Sequence, residues 1–117
     1  MKRGEKCRRT CVQIESRDYW RKALENQQSN WALIDDHPES GSATVYFFHE
    51  LSGVFDCLHF QSRPEAELEL RYNNFYRIAD EPKEAWVTGP PPPFFADEHP
   101  NGPVYSSGRF WRRVPGE

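Results

Sequence analysis

ATVYFFHELSGVFDCLHFQSRPEAELELRYNN, Ala43 to Asn74, decides the fold. Thr44–Glu50 and Val54–Phe60 are rich in Val, Phe and Tyr, and between them Leu51, Ser52 and Gly53 end in the residue that best tolerates a positive φ. The spacing predicts a β-hairpin with a three-residue loop, pairing Glu50 with Val54, Phe48 with Asp56 and Phe47 with Cys57. In that register Val45, Phe47, His49, Phe55, Cys57 and His59 share one face, and Tyr46, Phe48, Glu50, Val54, Asp56, Leu58 and Phe60 the other. Both faces are mainly apolar, so the hairpin belongs in the middle of a sheet covered on both sides.

The segment that follows carries two conflicting signals. Ala66, Leu68, Leu70 and Tyr72 alternate with Glu65, Glu67, Glu69 and Arg71, which is strand periodicity. Ser62 and Glu65, however, have capping-box spacing, Pro64 suits a first helical turn, and Ala, Glu, Leu and Arg are strong helix formers. The reading adopted is a helix over about 63–73. Its wheel puts Leu68, Tyr72 and Phe75 on one side and Ala66 and Leu70 on the other, so it too is expected to be covered twice.

Upstream, Tyr19, Trp20, Ala23 and Leu24 fall at helical spacing after a capping Asp18, which predicts a second helix over about 18–29. Trp31–Ile34 reads as a strand and Asp35–Gly41 as an acidic, solvated turn. Adjacent carboxylates on an extended chain point to opposite faces, so Asp35 and Asp36 make a poor acid and base pair. Phe75–Ala79 reads as a further strand. The fold class expected is α+β: one small domain, mainly an antiparallel sheet built on the hairpin at about 44–60, with helices at about 18–29 and 63–73.

The 117 residues suffice for one modest core, and 17 aromatics against 9 Leu plus Ile say that this core is built on rings. Residues 1–11 read as a flexible basic arm, and 12–117 as the domain. Lys2, Arg3, Lys6, Arg8 and Arg9 against Glu5 give that arm a net charge of +4, leaving −7 of the total −3 on the rest. An acidic body is a poor nucleic-acid surface, although the arm could touch phosphates. The first residues lack the apolar run of a signal peptide, no stretch has the length of a membrane span, and three cysteines are an odd number. The expected setting is the cytoplasm, with reduced thiols. Cys7 and Cys11 lack a second Cys or His pair at ligand spacing, so no metal and no cofactor is expected.

Residues 82–103 hold seven of the ten prolines, with Pro90–Pro93 running into Phe94 and Phe95. Such a segment either displays its rings to a partner or wraps its own domain and tucks them into the core. Pro103–Tyr105 and Arg109–Val114 suggest a terminal hairpin in which Trp111, flanked on its face by Arg109 and Arg113, stays near solvent. The function expected is a non-catalytic protein-binding module, including a small inhibitor, immunity or anti-defence protein, with Phe94, Phe95, Arg109, Trp111 and Arg113 as binding residues. Two other classes compete with it. One is a small enzyme using Cys57 with His49 or His59, although Phe55 and Leu58 give no turn or helix N-terminus to activate the thiol. The other is a nucleic-acid binder using the basic arm and the Arg109–Arg113 segment.

Overall fold

The computed structural model describes residues 11–23, 29–84 and 87–98. In chain order they form β1 (Cys11–Val12), β2 (Trp20–Ala23), β3 (Ser29–His37), β4 (Ser42–Phe48), β5 (Gly53–Phe60), the helix α1 (Arg63–Tyr72), β6 (Tyr76–Arg77) and β7 (Phe94–Ala96). The strands make one sheet in the order β1-β7-β5-β4-β3-β2-β6, antiparallel except where β7 runs parallel to β5. The domain is thus sheet-dominated α+β with a single helix among the described residues.

Alternation sorts the side chains. On β3 and β4, Ala32, Ile34, Ala43, Val45 and Phe47 join Trp20, Phe60, Phe75 and the helix residues Ala66 and Leu70 in one core layer. Trp31, Leu33 and Phe48 join Ile14, Val54 and Phe94 in the second layer on the opposite side of the sheet. The central hairpin is therefore covered on both faces, as its apolar pattern implies.

The hairpin register differs from the expected one. Phe47 faces Asp56, Tyr46 faces Cys57, Val45 faces Leu58 and Thr44 faces His59, and a bulge leaves Phe55 as the extra residue between Val54 and Asp56. The loop has four residues, His49–Ser52, and Ser52 rather than Gly53 takes the positive φ, +71°. The His49 side chain folds back over this turn, its Nδ1 accepting the Leu51 and Gly53 N–H groups. Cys57 and His59 consequently lie with Thr44 and Tyr46, not with Val45 and Phe47.

The helix over 63–73 forms at Arg63–Tyr72, so capping wins over alternation. Ser62 Oγ accepts the Glu65 N–H at 3.2 Å, and the Glu65 carboxylate reaches back to the Gln61 N–H at 2.8 Å. At the other end, Asn74 adopts φ +72°, the Phe75 N–H donates to the Leu70 carbonyl, and the Asn74 N–H donates to that of Arg71. That pair of bonds is the Schellman stop, with Asn in the place usually held by Gly. Coverage on two sides is overturned: Ala66 and Leu70 are buried, whereas Leu68 and Tyr72 are 49% and 38% exposed.

The helix expected at about 18–29 is also overturned. Trp20–Ala23 is a strand between β3 and β6, residues 24–28 lie outside the described residues, and Ser29 already belongs to β3. Sheet pairing outweighs helix propensity because Tyr19 and Trp20 serve opposite layers, a period of two that a helix cannot supply. Likewise β3 runs on to His37, so Asp35 is a buried strand residue and not part of a solvated turn. Of the strand expected at Phe75–Ala79 only Tyr76–Arg77 forms, and a 3₁₀ turn, Ile78–Asp80, follows. The first ten residues of the basic arm and the expected terminal hairpin lie outside the described residues. No helix among the described residues is long and apolar enough to cross a membrane.

Candidate functional site

Two polar constellations stand out, one at each end of the hairpin. At the loop end, His49 is nearly buried, and its Nδ1 accepts the backbone N–H groups of Leu51 at 3.1 Å and Gly53 at 3.4 Å. That places the ring proton on Nε2, which faces Asp97 Oδ2 at 3.1 Å. The His49 carbonyl accepts from the Ser52 N–H at 3.0 Å, the Ser52 hydroxyl donates to the Pro91 carbonyl at 2.5 Å, and the Ser52 carbonyl accepts from the Phe95 N–H at 3.2 Å. Glu50 bends back so that its carboxylate accepts the Ser29 N–H at 2.9 Å. Gly53 is required for close approach: a Cβ there would lie 2.1 Å from His49 Nε2. His49, Glu50 and Ser52 all bond back to the body, and Leu51 between them is 79% exposed.

At the opposite end, the buried Thr44 hydroxyl bridges two exposed histidines, His37 Nε2 at 2.7 Å and His59 Nδ1 at 2.9 Å. One hydroxyl has one proton, so when both rings are neutral one imidazole accepts from Thr44 and the other donates to it. Asp35, on the same face, accepts the N–H groups of Glu15 and Ser16 and fastens the segment after β1 onto the sheet. Tyr46 is held above its ordinary pKa by burial, then by the charges of Asp35 and Cys57. Burial, helped by the Asp56 carboxylate, also pushes the Cys57 thiol up.

The sequence-derived candidates divide accordingly. Cys57 and His59 share a face, but the His59 Nδ1 is turned to Thr44, and His49 sits in the turn, bonded to Asp97. A thiol with a raised pKa is a poor nucleophile. Phe94 is core, 2% exposed, with its ring 5.1 Å from that of Phe48. Phe95 is half-buried and edge-on to His49 at 6.1 Å. The proline segment wraps its own domain here, and Tyr19 donates to the Pro90 carbonyl at 2.6 Å. Arg109, Trp111 and Arg113 lie outside the described residues. Asp35 and Asp36 do point to opposite faces, Asp36 meeting Arg63 of α1 at 3.4 Å. Among the described residues no three of His, Cys, Asp and Glu are grouped to hold a metal ion.

Sequence reasoning missed Leu51, read only as loop, and the His37–Thr44–His59 bridge. Extending the β3 pattern past Ile34 would have found the latter, because Asp35 and His37 then share a face with Thr44. Comparison of the chain with protein-family models, curated proteins and solved structures found no match.

Proposed function

We propose that the protein is a small, non-catalytic protein-binding module that docks on a macromolecular target, in the manner of an inhibitor, immunity or anti-defence protein. The carrying observation is that the described residues, which bury most of their large apolar groups, leave Leu51, Leu68 and Tyr72 on the surface of hydrogen-bonded elements. Leu68 and Tyr72 are one turn apart on α1, and Leu51 stands on the braced hairpin loop. Rigid apolar groups lose little entropy on binding, which is where association is otherwise costly. The half-buried Phe95 beside that loop, with Arg109, Trp111 and Arg113, completes the set of binding residues. The free thiols of Cys11 and Cys57, the latter partly desolvated although its residue reaches the surface, suit a reducing compartment, and we place the protein in the cytoplasm on that basis.

The test is capture from a lysate of the source cell with the full chain as bait, at physiological salt. The expected result is one protein retained in stoichiometric amount by the wild type and lost from a Leu51→Asp, Leu68→Asp, Tyr72→Asp triple variant that still melts cooperatively. Retention of nothing, together with a turnover in a substrate screen that disappears in Cys57→Ala, would replace this reading with the enzyme.

A further inference from the structure

Three neighbouring strands bring together two histidines that stand far apart in the chain. His37 ends β3, Thr44 lies in β4 and His59 in the last turn of the ladder on β5, with β4 between the other two strands. Thr44 pairs with Asp35 on one side and with His59 on the other, and His37 pairs with Ser42, two residues before Thr44. Alternation sets all three side chains on the face opposite Ala43 and Val45 of the core. The two rings therefore reach the Thr44 hydroxyl from opposite sides, His37 through Nε2 at 2.7 Å and His59 through Nδ1 at 2.9 Å. Both histidines are exposed, while Thr44 beneath them is buried. Two imidazole nitrogens thus converge on one point at the surface of the sheet.

We propose that this convergence is a binding site for one zinc(II) ion, with His37 Nε2 and His59 Nδ1 as its protein ligands and the Thr44 hydroxyl as a weak neutral donor beside them. The site is independent of the protein-binding reading, and either can fail alone. The two nitrogens are no more than 5.6 Å apart, the sum of their bonds to Thr44. Zinc at about 2.0–2.1 Å from each ligand spans nitrogens up to about 4.2 Å apart, so the rings need to close by about 1.4 Å at most. Exposed rings have that freedom, and the paired central strands hold the two backbones at a fixed spacing, so little ordering is left to the ion. Without the ion, a single hydroxyl proton serves two neutral rings, and one of the near nitrogens must itself be protonated. Coordination moves that proton to the outer nitrogen of the same ring and leaves both near lone pairs to the ion, with no net proton released. Imidazole nitrogen selects zinc-like ions over calcium and magnesium, which take oxygen. Two protein ligands leave the rest of a tetrahedral shell to water, so the ion is held at an open, exchangeable site rather than in the closed shell of a structural zinc. The expectation of no metal rested on cysteine spacing, and a pair made across three strands leaves no such trace in the sequence.

The test is calorimetric titration of the full chain, freed of metal by a chelator, with zinc chloride. One ion per chain is expected, with the ring nitrogen resonances of His37 and His59 displaced on addition of zinc. His37→Gln and His59→Gln each keep a polar side chain for Thr44, and each should weaken binding at least about 10-fold, since even the loss of an outer-shell partner costs about 10- to 100-fold. Both variants should melt with the wild type when zinc is absent, and zinc should raise the melting temperature of the wild type more than that of either variant. A Cys7→Ser, Cys11→Ser, Cys57→Ser variant should bind as the wild type does. No heat with zinc up to about 1 mM, the weak end of specific binding, would overturn the site. Binding unchanged in both histidine variants would overturn it too, as would binding lost with the cysteines, which would assign the ion to thiolates.

Discussion

Adding a single methyl group at Gly53 tests the architecture of the loop most directly. Gly53 has no positive φ, so alanine there meets no backbone strain and acts through space alone. Its Cβ would fall 2.1 Å from Nε2 and 2.5 Å from Cε1 of His49, and 2.8 Å from Cβ of Asp97. None of these is the loose end of a long side chain. The ring is pinned by Leu51, Gly53 and Asp97, so it can yield only by giving up those bonds. Overpacking costs about 1–3 kcal/mol. Leaving a buried polar group unsatisfied costs about as much again. The sum, about 2–6 kcal/mol, is a large share of the roughly 5–15 kcal/mol typical of a whole domain. At about 4 °C per kcal/mol for this chain length, thermal unfolding followed by circular dichroism should drop by roughly 8–24 °C. Gly41→Ala is the control, because Gly41 has φ +79° and nothing within 4 Å of a new Cβ. It should lose only the left-handed backbone cost, about 1–2 kcal/mol. In a His49→Ala background the Gly53→Ala penalty should shrink by at least half, since the main obstruction is gone. A Gly53→Ala protein that melts within 2 °C of the wild type would refute this account of the loop.

Phe47 is fully buried, so Phe47→Ala should cost about 3–5 kcal/mol in urea titration, while the half-buried Leu58→Ala costs about 1–2 kcal/mol; equal losses would contradict the observed register. Ser62→Ala removes the helix cap and should cost about 0.5–2 kcal/mol, with amide exchange accelerated at Glu65; no change there would show that Ser62 does not cap. The Cys57 thiol and Tyr46 hydroxyl both have pKa values raised in the folded state, so folding favours their protonated forms. The stability they confer is full below the ordinary thiol and phenol values and is lost as pH rises through the higher folded ones. Iodoacetamide should therefore alkylate Cys57 at pH 8 more slowly than an unfolded cysteine peptide, and unfolding free energies should fall on going from pH 8 to pH 11, less steeply in Cys57→Ser.

The parts of this fold that were legible in the sequence are those fixed by neighbours in the chain. The Ser62–Glu65 spacing identifies the helix against an alternating pattern that argues for a strand, because the cap satisfies backbone donors that a strand would have left to a distant partner. The two apolar faces of 44–60 likewise announce a central hairpin. The register was not legible, because the bulge at Phe55 and the His49 imidazole folding over a glycine are features that propensity cannot express. Trp20–Ala23 was misread for a related reason: the segment is rich in helix formers, and only its position between β3 and β6 makes it a strand. Leu51 lay hidden because its significance comes from the bonding of its neighbours to Ser29, Pro91 and Phe95, residues remote in sequence.

The placement of β7 between β1 and β5 has a consequence for biosynthesis. Among the described residues, the first strand made has its neighbour in the last, and Cys11 pairs with Phe95. At about 5–20 residues per second the ribosome needs roughly 2–7 s to travel from Phe60 to Phe94, long after an isolated hairpin could have formed in microseconds. Through that interval Ile14, Phe48 and Val54 lack the ring that completes their layer, and β1 has no strand beside it. A nascent chain in this state offers a sticky half-built face to whatever is near. Premature termination just upstream of Phe94 should therefore yield an aggregating fragment rather than a smaller functional domain.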